Sequence, residues 1–156
     1  MGKSKKVQGP YEDLTYRIIG AAMFVHRKRG PGERERFYQR ELEDKLTKEG
    51  LSFEAQKRIP VNDGERLLGF YIPDFIVEGK VIVEIKAFAA LHEKYLGQVI
   101  TYLNHTGLPI GLLINFGGRS LHWRRVFPSP QAVEFRHNYQ WMWVPDWLKA
   151  ERSRDS

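Results

Sequence analysis

Between residues 11 and 28 apolar side chains recur at helical spacing, with Leu14, Ile18, Ile19, Ala22 and Val25 on one stripe, and Arg29-Gly30-Pro31-Gly32 stops the pattern. Residues 34–49 repeat it with Tyr38, Leu42 and Leu46, and Gly50 follows as a helix-ending glycine. From residue 53 the period shortens to that of strands, over 53–61, 67–77 and 80–87, with Asn62-Asp63-Gly64 and Glu78-Gly79 supplying turns. Residues 90–106 return to helical spacing through Leu96, Val99, Ile100 and Leu103, ended by Thr106-Gly107-Leu108-Pro109. Two further strands, 110–116 and 120–127, flank Gly117-Gly118. The order ααβββαββ predicts an α/β domain: a mixed sheet that starts antiparallel, with helices on both sides and the 67–87 hairpin at its centre.

Length and composition narrow this picture. A chain of 156 residues with 42% apolar and 13% aromatic content supports one domain with a real core. We expect a basic tail over 1–10, the domain over 11–130, and an extension over 131–156. Three of the four tryptophans, Trp141, Trp143 and Trp147, lie in that extension, so it is expected to pack on the domain. Lys and Arg number 25 against 19 Asp and Glu, a net charge of +6, which points to a polyanionic partner. The absence of cysteine excludes disulfides, Cys-ligated zinc, iron–sulfur clusters and thiol nucleophiles, so any metal must use oxygen or imidazole ligands. No apolar run approaches the length of a membrane span, and the basic start has no apolar segment behind it as a signal peptide would. The chain is expected to be intracellular, cytoplasmic or nuclear.

Chemistry concentrates in Ile72-Pro73-Asp74-Phe75-Ile76-Val77 and Val81-Ile82-Val83-Glu84-Ile85-Lys86, where charged groups interrupt runs of β-formers. Along the second run Ile82, Glu84 and Lys86 share a face, because side chains alternate with period two. Two hairpin registers are open. A three-residue loop, Glu78-Gly79-Lys80, pairs Val77 with Val81 and sets Asp74 opposite Glu84; a two-residue loop sets Asp74 opposite Val83. Only the first gathers the charges. Two opposed carboxylates suit a hard divalent ion, Mg2+ or Mn2+, and a neighbouring lysine suits orientation of water and stabilisation of a phosphoryl oxyanion, the needs of phosphodiester hydrolysis.

Pro73-Asp74 with Glu84-Ile85-Lys86 resembles the PD-(D/E)XK nuclease signature. The wider text resembles the GxxExxR family of that superfamily: Ile19-Gly20-Ala21-Ala22, Val25-His26-Arg27, Gly30-Pro31-Gly32-x-x-Glu35-x-x-Tyr38 and Leu112-Leu113-Ile114-Asn115-Phe116-Gly117, in order over residues 14–126. Tyr38 stands where the family name asks for Arg. The resemblance implies a restriction-endonuclease-like fold and adds site residues. Glu35 matches the helix-borne acid directed at the metal, and it shares a stripe with Tyr38 and Leu42. Gln98-x-x-x-Tyr102 resembles the motif of RecB-like nucleases, and its i, i+4 spacing sets both side chains on one helical face. His26 matches a segment from which some relatives take a metal ligand; its place on the apolar side of the first helix equally suits a hydrogen-bonded core histidine.

Other residues carry two readings as well. Gln98 and Tyr102 could serve helix packing, Tyr95 and His105 extend their stripe, and Arg27, Lys28 and Arg29 could meet phosphate or complement a helix end. The leading expectation is a divalent-metal-dependent nuclease acting on DNA. Asp74, Glu84 and Glu35 (with His26 as a fourth candidate ligand) hold Mg2+ or Mn2+, Lys86 positions water, and Gln98 with Tyr102 guides the strand. RNA is a possible substrate, and a small domain could need a protein partner or a second copy. The alternative is a non-catalytic nucleic-acid-binding or assembly subunit that keeps the nuclease fold.

Overall fold

The computed structural model describes residues 11–129. The expected tail over 1–10 and the tryptophan-rich extension lie outside the described residues. The chain opens with α1 (Glu12–Arg29) and α2 (Glu35–Lys48). Acidic residues begin α1 and four basic ones end it, as the helix dipole favours. The predicted apolar stripes become the buried faces of these helices, Ile18, Ile19, Ala22 and Val25 on one and Tyr38, Leu42 and Leu46 on the other.

The strand region departs from expectation at two places. The segment expected over 53–61 divides into β1 (Phe53–Ala55) and β2 (Ile59–Asp63), and that over 67–77 divides into β3 (Arg66–Tyr71) and β4 (Phe75–Val77). The first break falls at Gln56, whose left-handed φ of 53° turns the chain out of the sheet. The second falls at Ile72-Pro73-Asp74, where proline has no N–H to give a ladder. The sequence pattern shows strand character on both sides of each break and no interruption of period between them.

β5 (Val81–Lys86), α3 (Lys94–Thr106), β6 (Ile110–Asn115) and β7 (His122–Val126) complete the chain. Five strands form a sheet in the order β1-β4-β5-β6-β7, while β2 and β3 form a separate two-stranded ribbon. The sheet is mixed: β5 and β6 are parallel, joined through α3, and its other neighbours are antiparallel. Val81, Val83 and Ile85 share a core with α1 and α2, whereas Ile82, Ile76, Leu113 and Val126 share one with α3. β5 is thus central in the sheet and covered on both faces. No helix among the described residues is long and apolar enough to cross a membrane.

α3 sits close on the sheet because β6 carries Gly111. A Cβ there would lie 2.5 Å from Val99 Cγ1, a β-branched side chain with no exposure. Gly111→Ala is therefore expected to lower stability by about 1–3 kcal/mol through overpacking. Urea denaturation checks it, and an unchanged midpoint would show that α3 can lift without loss.

Candidate active site

The β4–β5 hairpin takes the three-residue register, with Val77 opposite Val81, Ile76 opposite Ile82 and Phe75 opposite Val83. Glu78 and Gly79 both hold left-handed φ, 54° and 63°, and the Lys80 N–H closes the turn on the Val77 carbonyl. One residue beyond the ladder, Asp74 meets Glu84. The two carboxylates there take the place of main-chain rungs. The Asp74 N–H donates to Glu84 Oε1 at 2.8 Å, and Asp74 Oδ2 accepts the Ile85 N–H at 2.8 Å.

Glu84 is only 3% exposed. Burial, and next the charge of Asp74, push its carboxyl up to about 8, although the Asp74 N–H and Lys86 pull the other way. Glu35, at the start of α2, is half-buried and also raised, by burial first; Lys86 opposes this and Asp74 adds to it. Glu35 and Lys86 therefore sense each other and the hairpin acids. Lys86 Nζ lies 4.8 Å from the centre of the Tyr95 ring, which in turn stacks on Phe88. From α3, Gln98 Nε2 donates to Tyr102 Oη at 2.9 Å. The Tyr102 hydroxyl is raised by burial and then by the charge of Glu84, which lies on the α3 side of the sheet with Ile82.

The six expected catalytic positions, Glu35, Asp74, Glu84, Lys86, Gln98 and Tyr102, are thereby drawn to one end of β5, between α2 and α3. His26 is placed otherwise. Its Nε2 lies 2.9 Å from the Gly118 carbonyl and its ring lies beside Phe116, the arrangement of a hydrogen-bonded core histidine. Among the described residues no three His, Asp or Glu side chains, His26 included, converge closely enough to enclose an ion by themselves. What this chain offers is a pair of opposed carboxylates with Glu35 nearby, and hard Mg2+ is commonly held by one or two carboxylates with water completing its shell.

Three supporting residues were not singled out as site residues from the sequence, although Asn115 lies within the family segment Leu112–Gly117. Gln56 gives Asp74 two bonds, main chain to the Asp74 carbonyl at 3.1 Å and Nε2 to Oδ1 at 2.9 Å. Gln39, one helical turn after Glu35, donates Nε2 to the same carbonyl at 3.3 Å, and its buried Oε1 has no partner among the described residues. Asn115 anchors the chain beyond Lys86. Its Oδ1 accepts the Phe88 N–H at 3.0 Å and the Gly117 N–H at 3.2 Å, while its Nδ2 donates to the Phe88 carbonyl at 3.0 Å. Gly117 is required beside this clamp, because a Cβ there would lie 2.2 Å from the Phe88 carbonyl oxygen. The spacing of Gln39 from Glu35 and the place of Asn115 in a family segment were the available clues.

Two outcomes follow from this geometry. Asn115→Ala leaves Phe88 and Gly117 main-chain groups without partners and is expected to cost about 1–3 kcal/mol in denaturant unfolding. Asn115→Asp keeps the acceptor and should fall between. A cost below a few tenths of a kcal/mol would mean that the clamp is dispensable. Glu84 sets a pH dependence in metal-free protein. A folded pKa near 8 against an ordinary 4.5 favours the folded state below pH 4.5 and loses that advantage as pH rises through 8. The loss is on the order of a few kcal/mol between those limits. Glu41, Glu49 and Glu78 are lowered and act below this window. Urea midpoints across the range should fall in the parent protein and stay flatter in Glu84→Gln; parallel curves would refute the burial effect.

Residues 12–126 match the PD-(D/E)XK nuclease superfamily. No curated protein matches the chain. Among solved structures, an alkaline exonuclease from Laribacter hongkongensis is similar in fold, with a TM-score of 0.42 and 16% identity over 86% of this chain and 76% of that one. With the family match spanning both carboxylates, Lys86 and the helices around them, the chain belongs to the PD-(D/E)XK nuclease superfamily.

Proposed function

We propose that the chain hydrolyses phosphodiester bonds of DNA with Mg2+ or Mn2+ as cofactor, as a member of the GxxExxR branch. The observation that carries this is the direct opposition of Asp74 and Glu84 on the face that also bears Lys86. The donor set fits a hard divalent ion. Glu84 is buried beside a like charge and is costly as an anion, and a cation relieves that cost. The unpartnered Gln39 Oε1 is an acceptor for the water that a hydrated ion carries in.

When bound, such an ion supplies Lewis-acid neutralisation of a phosphoryl oxygen and makes water more acidic. Asp74 and Glu84 hold it, and Glu35 orients water from the α2 side. Lys86, aligned over Tyr95, positions the attacking water and donates to the phosphoryl oxygen as negative charge develops there. Gln98 contacts the strand beside the scissile phosphate, kept in place by its bond to Tyr102. Tyr38 departs from the branch pattern, standing where the family name asks for arginine, and has a structural role here. It stacks on Phe116, its hydroxyl donates to the Gly30 carbonyl, and it accepts the Glu33 N–H, so it shapes the turn that delivers Glu35.

Labelled single-stranded DNA, duplex DNA and RNA, incubated with Mn2+ or with chelator, provide the test. DNA is expected to be cut only with metal, and Lys86→Ala to reduce the rate roughly 10²–10⁴-fold. Mn2+ near 100 times its dissociation constant should add about 2.7 kcal/mol to stability, a shift that Asp74→Ala abolishes. DNA binding with no cleavage and no metal-dependent stabilisation would assign the chain to the non-catalytic class.

A further inference from the structure

We propose that the outward face of the β2–β3 ribbon is a stacking platform for unpaired DNA nucleotides next to the scissile phosphate, so that the strand is held single at this site. This rests on the nuclease assignment above and names the form of its substrate. The ribbon has two unlike faces. Its inner face packs on α3: the Tyr71 ring lies 5.1 Å from Tyr102 and 5.1 Å from His105, and His105 Nε2 lies 2.9 Å from the Pro60 carbonyl. Ile59 packs with the same cluster. The outer face serves no core. Phe70 is 41% exposed, opposite Pro60 in the ladder, Leu68 two residues before it is exposed too, and Leu67 and Ile72 are exposed nearby along the chain. Apolar side chains grouped this way on a surface mark an interaction site.

The cations say which kind. Lys57 pairs with Glu54 and Arg66 with Asp63, whereas Arg58 lies in no ion pair among the described residues. Its guanidinium sits 4.1 Å from the centre of the Phe70 ring. The guanidinium covers one face of the ring, so a phosphate held at its edge would bring a base to the opposite face, and an aromatic ring with a cation at hand is how sequence-tolerant single-strand sites are built. The ribbon is also tied to the site at both ends. Arg58 is two residues from Gln56, which holds Asp74 by two hydrogen bonds. Phe70 is four residues from Asp74, so their Cα atoms lie within about 14 Å, a reach of a few nucleotides from the scissile bond.

Duplex DNA fits this face poorly. Bases in a duplex already stack on one another, and a ribbon entering the major groove needs polar side chains to read base edges. Phe70, Pro60, Leu67, Leu68 and Ile72 have none.

The test measures binding of a fluorescein-labelled single-stranded DNA oligonucleotide, and of the same sequence as duplex, in the Glu84→Gln background so that the DNA stays intact. Phe70→Ala is expected to weaken single-strand binding roughly 5- to 100-fold while duplex affinity stays unchanged. Phe70→Trp should retain or strengthen it, which a mere folding defect would not allow. Arg58→Ala should reduce the salt slope by about one phosphate, and Phe70→Ala should leave that slope as it is. An equal loss on duplex, or no loss on single strands, overturns the platform. So does a dimer in sedimentation that Leu68→Lys converts to monomer. Cleavage is followed in parallel with Glu84 present. Cleavage by a protein whose single-strand affinity ignores Phe70→Ala rejects the platform and keeps the nuclease. Selective loss in Phe70→Ala with no cleavage by the parent chain does the reverse.

Discussion

Asp74 and Glu84 meet at the open end of the central hairpin, and the site around them follows from how the protein tolerates that meeting. Like charges in a buried place repel, and burial alone already disfavours the charged carboxyl. The chain answers with donors. Glu84 takes the Asp74 N–H, Asp74 takes the Ile85 N–H and the Gln56 side chain, and Lys86 adds positive charge from the same strand. The same two groups proposed to hold a cation also close the hairpin where its ladder stops. Function and local stability are therefore in tension at one point, as expected where a site needs a group the core would reject.

The sheet turns this local problem into a site of wider reach. Because β5 is central and covered on both faces, its strand end receives side chains from opposite directions: Glu35 from α2, and Gln98 with Tyr102 from α3. Parallel pairing of β5 with β6 sets Lys86 opposite Asn115, and Asn115 then anchors the chain two residues beyond the lysine. Phe116 extends the same support toward α1 and α2 through its stack with Tyr38 and its contact with His26. His26 therefore contributes by holding the Gly118 turn. The β2–β3 ribbon stands outside this packing, anchored by Tyr71 on α3, and leaves Phe70 and Arg58 outward.

Much of this was legible in the residues alone, and for a physical reason. A helix or strand face is set by local periodicity, so the stripes of α1 and α2 and the shared face of Ile82, Glu84 and Lys86 can be read from spacing. The motif around Asp74 and Glu84 is short, but with the ordered segments over residues 14–126 it let the superfamily be recognised. What depends on contacts between distant segments was not readable. Both hairpin loops satisfied the hydrophobic pattern, and only the folded sheet selected the three-residue one that opposes the acids. The breaks at Gln56 and at Pro73 leave strand-like residues on either side, so period could not reveal that β2 and β3 leave the main sheet. Gln56, Gln39 and Asn115 are ordinary polar residues until tertiary packing brings Asp74 or Phe88 within hydrogen-bond distance. The sequence by itself determined which faces are apolar and which residues could do chemistry. Tertiary structure decided register, partners and burial, because those are set by the free energy of the whole fold rather than by neighbours along the chain.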